Sequence, residues 1–403
     1  MSSRVRVTYF INSLEQGGAE RQLAELIGHL NVDRYEPSLV LCIERDQLGY
    51  KLPGLGGRIR YLHAPMFPTP ISVRALAREL RDLKSDVVHT YMGWENIFGR
   101  VAARMAGVRA VIGSVRCTQL PRKHVLGERL THGMADAIIV NSIGIRDELV
   151  RRAGIRTDRI DVIENGVDFS RFQPLDAAMI ARERNVWGMN GKRVLVVPGR
   201  ISEQKNQLEI LRALARLKKS GDLPSDARVY FAGRGSPPWY GEMLRTYSTA
   251  FGLGTHVDFL GIVKNVERLV GAADGMLLPS RYEGLPNAVI EAMSCATPVI
   301  VSDAANTDTL VTDGVEGLVC DHDDAGFSTS KSIARALKRF FMLDPKERQA
   351  MGARGHAHAS ARFAVARMAR RTMDVYERVL AERAPDLARP GRTLSGAGRA
   401  ELN

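Results

Sequence analysis

The sequence predicts an α/β protein built from two domains, each with a parallel sheet covered by helices. Short apolar runs of strand length alternate with amphipathic helical stretches through residues 5–163, and the same alternation starts again through residues 194–319. Strand–helix alternation of this kind is typical of a parallel sheet with helices on both faces. Between the two stretches, Pro174, Gly188 and Gly191 interrupt the pattern. A chain of 403 residues is long enough for two domains of ordinary size.

Apolar runs in the first half predict short buried strands, and the stretches between them predict helices with one apolar face. The predicted strands are residues 5–11, 38–43, 87–88, 110–113, 137–140 and 160–163. The predicted helices include residues 19–30, 73–83 and 97–106. We expect these elements to form one Rossmann-like domain over residues 1–180.

The second half repeats the plan and predicts a second Rossmann-like domain over residues 181–360. Its predicted strands are residues 194–198, 229–232, 257–260, 275–278, 298–301 and 318–319. A last helix is expected over residues 361–383. The tail, residues 384–403, contains Pro, Gly, Arg and Ser with little apolar content, so we expect it to be disordered.

The composition excludes several classes of protein. Hydrophobic residues make up 45% of the chain and charged residues 25%, as in a soluble globular protein. No apolar run approaches the ~20 residues of a membrane span, and no secretory signal precedes the first strand. The four cysteines lie far apart without a Cys-x-x-Cys pair, and no His-Glu-x-x-His spacing occurs, which argues against a zinc or redox site. We therefore expect a cytoplasmic protein without a metal or other cofactor.

The formal net charge of +12 suggests an anionic partner. Basic residues are dense between positions 100 and 130, where Glu128 is the one acidic residue: Arg100, Arg104, Arg109, Arg116, Arg122, Lys123 and Arg129. This segment is either an ordinary solvated surface or a contact for anionic lipid headgroups or a lipid-pyrophosphate acceptor. Nucleic acid is disfavoured, because no aromatic residues for base stacking lie between the cations.

The most informative stretch is residues 279–293, where Glu283 and Glu291 stand eight residues apart. It follows the predicted strand 275–278, and residues 288–293 predict the next helix, with Pro286 in its first turn. Glu283 is thus expected on the loop at the carboxyl end of the strand. The backbone N–H groups at the start of the helix offer a seat for phosphate. Carboxylates on both sides of a phosphate seat suit a nucleotide sugar.

Two further loops follow predicted strands and could contact phosphate. Gly17 and Gly18 lie in a loop that opens a helix after the first strand, although the loop lacks the Gly-x-Gly-x-x-Gly dinucleotide pattern. At the start of the second domain, Gly199 is followed by Arg200 and Lys205. An arginine can fork onto phosphate oxygens while a lysine supplies a point charge. Taken singly, each of these features could equally be an ordinary loop or surface.

Together these motifs resemble the retaining glycosyltransferases of family 4, over residues from about 5 to about 318. The resemblance implies the GT-B fold, in which two Rossmann-like domains face a central cleft and the last helix packs back on the N-terminal domain. The N-terminal domain would bind the acceptor and the C-terminal domain the nucleotide sugar. On the acceptor side the family commonly has His-x-His, where this chain has His89 and Tyr91. Arg116 replaces a histidine that many relatives carry near the reacting carbon.

The resemblance also implies roles for the donor-side residues. Arg200 and Lys205 would bind the nucleotide diphosphate and stabilise the leaving group. Glu283 would hold hydroxyls of the donor sugar, and Glu291 would accept hydrogen bonds from the ribose. Further contacts to sugar and phosphates would come from the backbone at these positions: Gly17, Gly18, Gly284, Leu285, Pro286 and Asn287. Two departures from the family pattern are Ala296, where glycine is usual and where we expect a packing difference, and the glycine-free residues 303–306.

We therefore expect a retaining glycosyltransferase that moves a hexose from a nucleotide-diphosphate sugar to a hydroxyl of a saccharide acceptor. The basic segment suggests a lipid-linked acceptor at the inner membrane face, as in surface polysaccharide, lipopolysaccharide or glycolipid biosynthesis. Because Arg200 and Lys205 could replace a divalent ion, no metal is expected. Two alternatives stay open: another GT-B enzyme, such as a nucleotide-sugar epimerase or phosphorylase, and a non-catalytic nucleotide-sugar-binding protein.

Overall fold

The computed structural model describes residues 4–15, 17–45, 52, 55, 58–62, 69–321 and 328–388. The chain divides into two compact units. The first unit comprises Met1–Gly166 and Val365–Asn403, and the second comprises Val167–Ala364.

The boundaries between the units differ from the predicted ones at positions 180 and 360. Val167 and Phe172 lie in the hydrophobic core of the second unit, and Val167 forms a parallel β-bridge with Ala364. Arg171 also pairs with Glu267 at 2.9 Å. These contacts attach residues after Gly166 to the second unit. The sequence did not reveal them because their partners lie about 100 to 200 positions further along the chain.

The first unit contains a parallel sheet of seven strands among its described residues, in the order β3-β2-β1-β4-β5-β6-β7. The strands are β1 Val5–Ile11, β2 Tyr35–Leu41, β3 Ile59–Tyr61, β4 Val87–Tyr91, β5 Ala110–Val115, β6 Ala137–Val140 and β7 Ile160–Val162. The helices between them are α1 Gly18–Gly28, α2 Pro70–Asp82, α3 Gly93–Met105, α4 Arg122–Thr131 and α5 Ile143–Ala153. One core cluster joins α1 to the sheet, and another joins α2 and α3 to the same strands.

The second unit contains a parallel sheet of six strands among its described residues, in the order β10-β9-β8-β11-β12-β13. The strands are β8 Arg193–Pro198, β9 Ala227–Ala232, β10 Val257–Phe259, β11 Gly275–Leu278, β12 Val299–Ser302 and β13 Gly317–Cys320. The helices are α6 Ala177–Val186, α7 Gln207–Ser220, α8 Pro238–Ala250, α9 Val266–Gly271, α10 Asn287–Ser294, α11 Ser330–Met342 and α12 Pro345–Arg362.

The last helix, α13 Val365–Arg383, belongs to the first unit. Its residues Tyr376, Val379 and Leu380 are buried in the same core cluster as β1 and α1. Ion pairs reinforce this packing, because Glu377 accepts hydrogen bonds from Arg34 and Arg378 pairs with Asp161. In the described part of the chain, no helix combines the length and the apolar character needed to cross a bilayer.

The chain is ordered beyond residue 384, where the sequence predicted the disordered tail to begin. Ala384 is buried in the core of the first unit, and residues Pro385–Leu387 form a short 3₁₀ helix. Asp386 pairs with Arg109 at 2.7 Å. Apolar burial and this ion pair hold the chain in place as far as Ala388. The rest of the predicted tail, residues 389–403, lies outside the described residues.

Each sheet has a switch point, where the strand order changes direction. It lies between β1 and β4 in the first unit and between β8 and β11 in the second. Loops that leave the carboxyl ends of the two strands diverge at such a point and leave a crevice, which is the usual ligand site of open α/β sheets. The donor-side residues predicted from the sequence lie at these two places.

Candidate active site

The switch point of the second unit brings together the loops after β8 and β11. The loop after β8 carries Arg200 and the short 3₁₀ helix Glu203–Lys205. The loop after β11 carries Glu283 and leads into α10. Because β8 and β11 are paired neighbours, residues about 80 positions apart in the sequence lie in contact here.

Lys205 and Glu283 form the central pair of this site. The Lys205 Nζ atom donates to Glu283 Oε1 at 2.6 Å, and the side chains are 16% and 9% exposed. A charge-assisted hydrogen bond with this little water around it is stronger than a surface ion pair. The pair fixes an ammonium and a carboxylate side by side at the carboxyl edge of the sheet. One can face a diphosphate while the other accepts hydrogen bonds from sugar hydroxyls.

Polar contacts of neighbouring residues hold the Lys205 turn against the Glu283 loop. Asn206 ends the turn in the left-handed conformation, with φ of 62°, and its Oδ1 atom accepts a hydrogen bond from Arg281 Nε at 3.2 Å. Gln204 donates to the Tyr282 carbonyl oxygen at 3.1 Å. The sequence analysis did not assign a role to Gln204 or Asn206. The signal available was asparagine itself, which is enriched in left-handed turn positions.

Arg200 is exposed at the end of β8. Its carbonyl oxygen accepts a hydrogen bond from the buried amide of Gln207 at 2.9 Å, and Gln207 Oε1 accepts from the Ser202 N–H at 3.2 Å. No carboxylate of the described residues lies within ion-pair distance of the Arg200 guanidinium. Gln207 therefore fixes the backbone, while the Arg200 side chain stays available for an anion. Gln207 was also missed by the sequence analysis.

Helix α10 begins directly beside Glu283. Pro286 occupies the N-cap position of α10, just before the first turn, in which the sequence predicted it to lie. Its side chain has no oxygen that could cap that turn. Gly284, Leu285 and Pro286 are buried. Glu291 is the fifth residue of α10, so it lies more than a turn beyond the N-terminus, as its spacing from Glu283 predicts. The loop that carries Glu283 thus leads directly into a helix N-terminus, which favours negative charge.

The glycine-free segment after β12 is held by side-chain hydrogen bonds. Residues Asp303–Ala305 form a short 3₁₀ helix, which Ser302 Oγ caps by accepting from the Ala305 N–H. The same hydroxyl donates to the Ser280 carbonyl oxygen at 2.6 Å. The Asn306 side chain bonds both the N–H and the carbonyl oxygen of Val311. Side chains here connect the segment to the loop that carries Glu283.

A close backbone approach beside Arg200 gives a first prediction. A Cβ atom on Gly233 would lie 1.8 Å from the Gly199 carbonyl oxygen, and no rotamer change can relieve a clash with backbone. We expect Gly233→Ala to separate the ends of β8 and β9, to lower stability by about 1–3 kcal/mol and to weaken nucleoside-diphosphate binding roughly tenfold. Calorimetric titration would measure the affinity. The matched control is Gly254→Ala, where no atom lies within 4 Å of the added Cβ; equal affinities in the two variants would contradict the prediction.

In the first unit, Gly17 is the N-cap of α1 and Gly18 its first residue. The Glu20 carboxylate folds back over this turn, since an ideal Cβ on Gly17 would lie 2.0 Å from Glu20 Oε2. A carboxylate at a helix N-terminus is stabilised by the helix dipole, as a phosphate would be. A phosphate could reach Gly17 and Gly18 from that side after displacement of Glu20.

A buried carboxylate whose charge interacts with that of Glu20 gives a pH prediction. Burial raises the pKa of Glu95 from 4.5 to about 7, and the negative charge of Glu20 adds to the shift. Between pH 4.5 and 7 the folded protein keeps a proton that the unfolded chain releases. The contribution of Glu95 to stability is therefore most favourable below pH 4.5, falls as the pH rises from 4.5 to 7, and changes little above that.

We expect Glu95→Gln to raise the free energy of unfolding by about 3 kcal/mol at pH 8 and to leave it nearly unchanged at pH 4.5. Urea-induced unfolding at both pH values would measure the difference. Asp82→Asn, on the exposed end of α2 in the same unit, is the control. A gain of equal size at both pH values would show that ionisation of Glu95 is not its cause.

The structure does not support the predicted acceptor-side role of His89. Its side chain is fully buried, and both ring nitrogens are engaged: Nδ1 with the Tyr376 hydroxyl at 2.7 Å and Nε2 with the Ser114 hydroxyl at 2.8 Å. Burial lowers the pKa of His89 well below its usual value, and the positive charge of Arg116 adds to the effect. His89 is thus a neutral core histidine, with no ring nitrogen left for an acceptor.

Arg116 directly follows β5 and is half-buried at the carboxyl edge of the first sheet. Its Nη1 atom donates to Asn165 Oδ1 at 2.8 Å, and its guanidinium carbon lies 5.3 Å from the centre of the Tyr91 ring. The predicted acceptor-side cation is therefore held in a definite position. Asn165 is a further residue that the sequence analysis left without a role in the site.

Comparison with known proteins identifies the family. Residues 179–358 match the family model described as Glycosyl transferases group 1, and residues 16–171 match the model Glycosyltransferase Family 4. The D-inositol 3-phosphate glycosyltransferase of Acidothermus cellulolyticus is 31% identical over 317 residues, which cover 74% of this chain and 68% of that protein. The UDP-Gal:alpha-D-GlcNAc-diphosphoundecaprenol alpha-1,3-galactosyltransferase of Escherichia coli is 28% identical over 261 residues, covering 63% of this chain and 67% of that protein.

The fold agrees with this assignment. The structure of Anabaena Alr3699/HepE in complex with UDP and glucose matches with a TM-score of 0.80 at 20% identity, covering 93% of this chain and 100% of that one. The predicted fold class, two Rossmann-like domains with parallel sheets, is confirmed. The chain therefore belongs to the group 1 glycosyl transferases of glycosyltransferase family 4, retaining enzymes of the GT-B fold that use nucleotide-sugar donors.

Proposed function

We propose that the protein is a metal-independent hexosyltransferase, which moves a hexose from a nucleoside-diphosphate donor to a hydroxyl of a lipid-linked saccharide with retention of configuration. The observation that carries the proposal is the Lys205–Glu283 pair at the switch point of the second sheet, with the exposed Arg200 on the same loop as Lys205. Two cations and a helix N-terminus converge there on one anion-binding place. Glu283 adds a hydrogen-bond acceptor for sugar hydroxyls.

The arrangement supports a front-face transfer. The bond between the anomeric carbon and the diphosphate oxygen breaks, and the bond to the acceptor oxygen forms on the same face of the sugar. The acceptor proton passes to the departing diphosphate, whose charge Arg200 and Lys205 stabilise. Glu283 holds the Lys205 ammonium, and Gln207 holds the backbone of Arg200, before the donor binds. Little reorganisation of this site is therefore needed during the reaction.

The donor half of the proposal is tested by thermal unfolding of the full chain against a panel of nucleotide sugars, with and without EDTA. We expect one nucleotide sugar to stabilise the protein selectively and EDTA to leave the shift unchanged. Loss of the shift in EDTA would contradict metal independence. Turnover that requires inorganic phosphate would instead identify a phosphorylase.

The acceptor half rests on the exposed face of α4. Leu126 and Leu130 are 57% and 71% exposed and, four residues apart, lie on one side of the helix. Three exposed cations share that side at helical spacing: Arg122, Lys123 and Arg129. Apolar side chains flanked by cations on one helix face suit the surface of an anionic membrane. A lipid-linked acceptor would be present at such a surface.

Vesicle sedimentation tests this surface. We expect the full chain to bind vesicles with anionic lipid at low salt and to lose most of that binding in the variant Leu126→Ser/Leu130→Ser. Ile71→Ser, at a 70% exposed position on α2, is the matched control. Equal binding of neutral and anionic vesicles, or unchanged binding of the double variant, would argue for a soluble acceptor.

A further inference from the structure

Four neighbouring strands of the first sheet carry polar side chains at their carboxyl ends. Tyr91 ends β4, Arg116 follows β5, Asn141 follows β6, and Asn165 comes three residues after β7. Because these strands are parallel and adjacent in the sheet, their carboxyl ends meet at one edge. We call Tyr91, Arg116, Asn141 and Asn165 the edge cluster.

The hydrogen bonds of the edge cluster fix the orientation of its amides. Asn165 Oδ1 accepts from Arg116 Nη1 at 2.8 Å and from Asn141 Nδ2 at 3.2 Å. A guanidinium can only donate, so Asn165 must present its oxygen to Arg116. Asn141 must then present its NH₂ group to the same oxygen. Its own oxygen consequently faces another direction.

Three atoms of the edge cluster are buried without a hydrogen-bond partner among the described residues: Tyr91 Oη, Arg116 Nε and Asn141 Oδ1. Asn141 is only 3% exposed. Within the ranges that the structure describes, no carboxylate lies within ion-pair distance of Arg116. Buried polar atoms are normally hydrogen-bonded, and an arginine cannot lose its charge. Beside the Tyr91 hydroxyl, which can donate or accept, the cluster therefore presents one charged donor at Arg116 and one acceptor at Asn141.

We propose that the edge cluster binds the acceptor through an anionic oxygen at Arg116 and a neighbouring hydroxyl at Asn141. A phosphate ester next to a hydroxyl has this combination, because the phosphate supplies acceptor oxygens and the hydroxyl supplies a donor. The inference rests on the proposed transfer to an acceptor hydroxyl and adds a phosphate to that acceptor. Tyr91 and Asn165 act as positioning residues. The Tyr91 ring packs against the face of the Arg116 guanidinium, and Asn165 accepts a hydrogen bond from its Nη1 atom.

The phosphate could belong to a soluble sugar phosphate or to the diphosphate of a lipid carrier, and two arms of one experiment distinguish them. Both use the full chain saturated with the nucleoside diphosphate of the donor that thermal unfolding identifies, so that the proposed anion-binding groups of the second unit are occupied. The first arm titrates glycerol 1-phosphate, with methyl phosphate as the probe that lacks a hydroxyl. The second arm measures binding to vesicles that contain a polyprenyl diphosphate, against vesicles with an equal charge of phosphatidylglycerol.

In at least one arm we expect Arg116→Gln to weaken binding about tenfold to a hundredfold, as for the loss of a charged hydrogen bond. Asn141→Ala should weaken glycerol 1-phosphate binding more than methyl phosphate binding. Arg74→Gln, at an exposed arginine on α2, is the control and should leave both arms unchanged. A dependence on Arg116 in the vesicle arm alone assigns the phosphate to a lipid.

The proposal is overturned if Arg116→Gln binds both probes as tightly as the unmodified protein does. Nucleoside-diphosphate binding, measured separately, tests the donor site of the second unit and should be the same in all variants. Failure of every nucleoside diphosphate to bind would contradict the proposed function. The comparison of Arg116→Gln with the unmodified protein decides the inference in either case.

Discussion

Replacing Lys205 with alanine is expected to lower kcat about 10³-fold while the fold survives. The lysine is one of two cations proposed to stabilise the departing diphosphate, and loss of one such preorganised donor typically lowers kcat by about 10²–10³. The variant also leaves Glu283, which is 9% exposed, without its 2.6 Å partner. A carboxylate whose charge the lysine no longer offsets would repel the diphosphate, so the expected loss lies at the upper end of that range. Steady-state kinetics with the donor identified by thermal shift would measure it.

Two further variants separate the chemical effect from a structural one. In Lys205→Ala/Glu283→Gln both charges of the ion pair are removed together, so stability should recover towards that of the unmodified protein while kcat stays low. Lys219→Ala, at an exposed lysine near the end of α7, should change neither. Near-normal turnover of Lys205→Ala would remove Lys205 from the mechanism. Recovery of turnover in the double variant would mean that the single variant fails only because the Glu283 charge has lost the lysine.

The position of the proposed donor-side loops could be predicted because Arg200, Lys205 and Glu283 lie in loops that follow predicted strands. Glycine, proline and charged residues after apolar runs predict loops at the carboxyl edge of a parallel sheet, and Glu283 and Lys205 lie in such loops. What the sequence could not supply is the contact between them, because pairing of β8 with β11 joins segments distant in the chain. The roles of these residues were therefore inferred from the resemblance of their motifs, whereas the 2.6 Å ion pair could be seen only in the structure.

The acceptor side was harder to predict because its residues act through distant partners. Nothing near His89 in the sequence indicates Tyr376, whose hydroxyl engages the histidine from the last helix of the chain. Asn141 and Asn165 each look like ordinary turn residues until the sheet places them beside Arg116. Burial and hydrogen-bond saturation, which distinguish a core histidine from a ligand, depend on contacts over long sequence separations.

One departure from the family pattern has a different physical reason from the one expected. Ala296, at a position where glycine is usual, was expected to reflect packing. The structure places it at φ of 56°, in the left-handed region that glycine adopts without steric penalty. The usual glycine is explained by backbone conformation, and alanine here carries a strain of about 1 kcal/mol.

The second large effect is expected for the buried ion pair that attaches α4 to the first unit. Arg100 Nη1 donates to Glu128 Oε2 at 2.6 Å, with the two side chains 0% and 2% exposed. In α4 itself, Glu128 and Thr131 are the buried residues, so the helix is held more by this pair than by apolar packing. Glu128→Gln would leave the Arg100 charge buried without its counter-ion. We expect it to lower the free energy of unfolding by about 3–5 kcal/mol.

The matched variant replaces both charges, because a buried ion pair exchanged for apolar side chains of similar volume is often neutral or stabilising. Arg100→Met/Glu128→Leu should therefore restore most of the stability that Glu128→Gln loses, as urea-induced unfolding would measure. Amide hydrogen exchange of α4 should rise in the single variant and fall again in the double one. Vesicle binding adds a functional readout, since Leu126 and Leu130 can face a membrane together only while α4 stays in place. If Glu128→Gln loses less than 1 kcal/mol, packing rather than the ion pair holds the helix, and vesicle binding should then be unchanged as well.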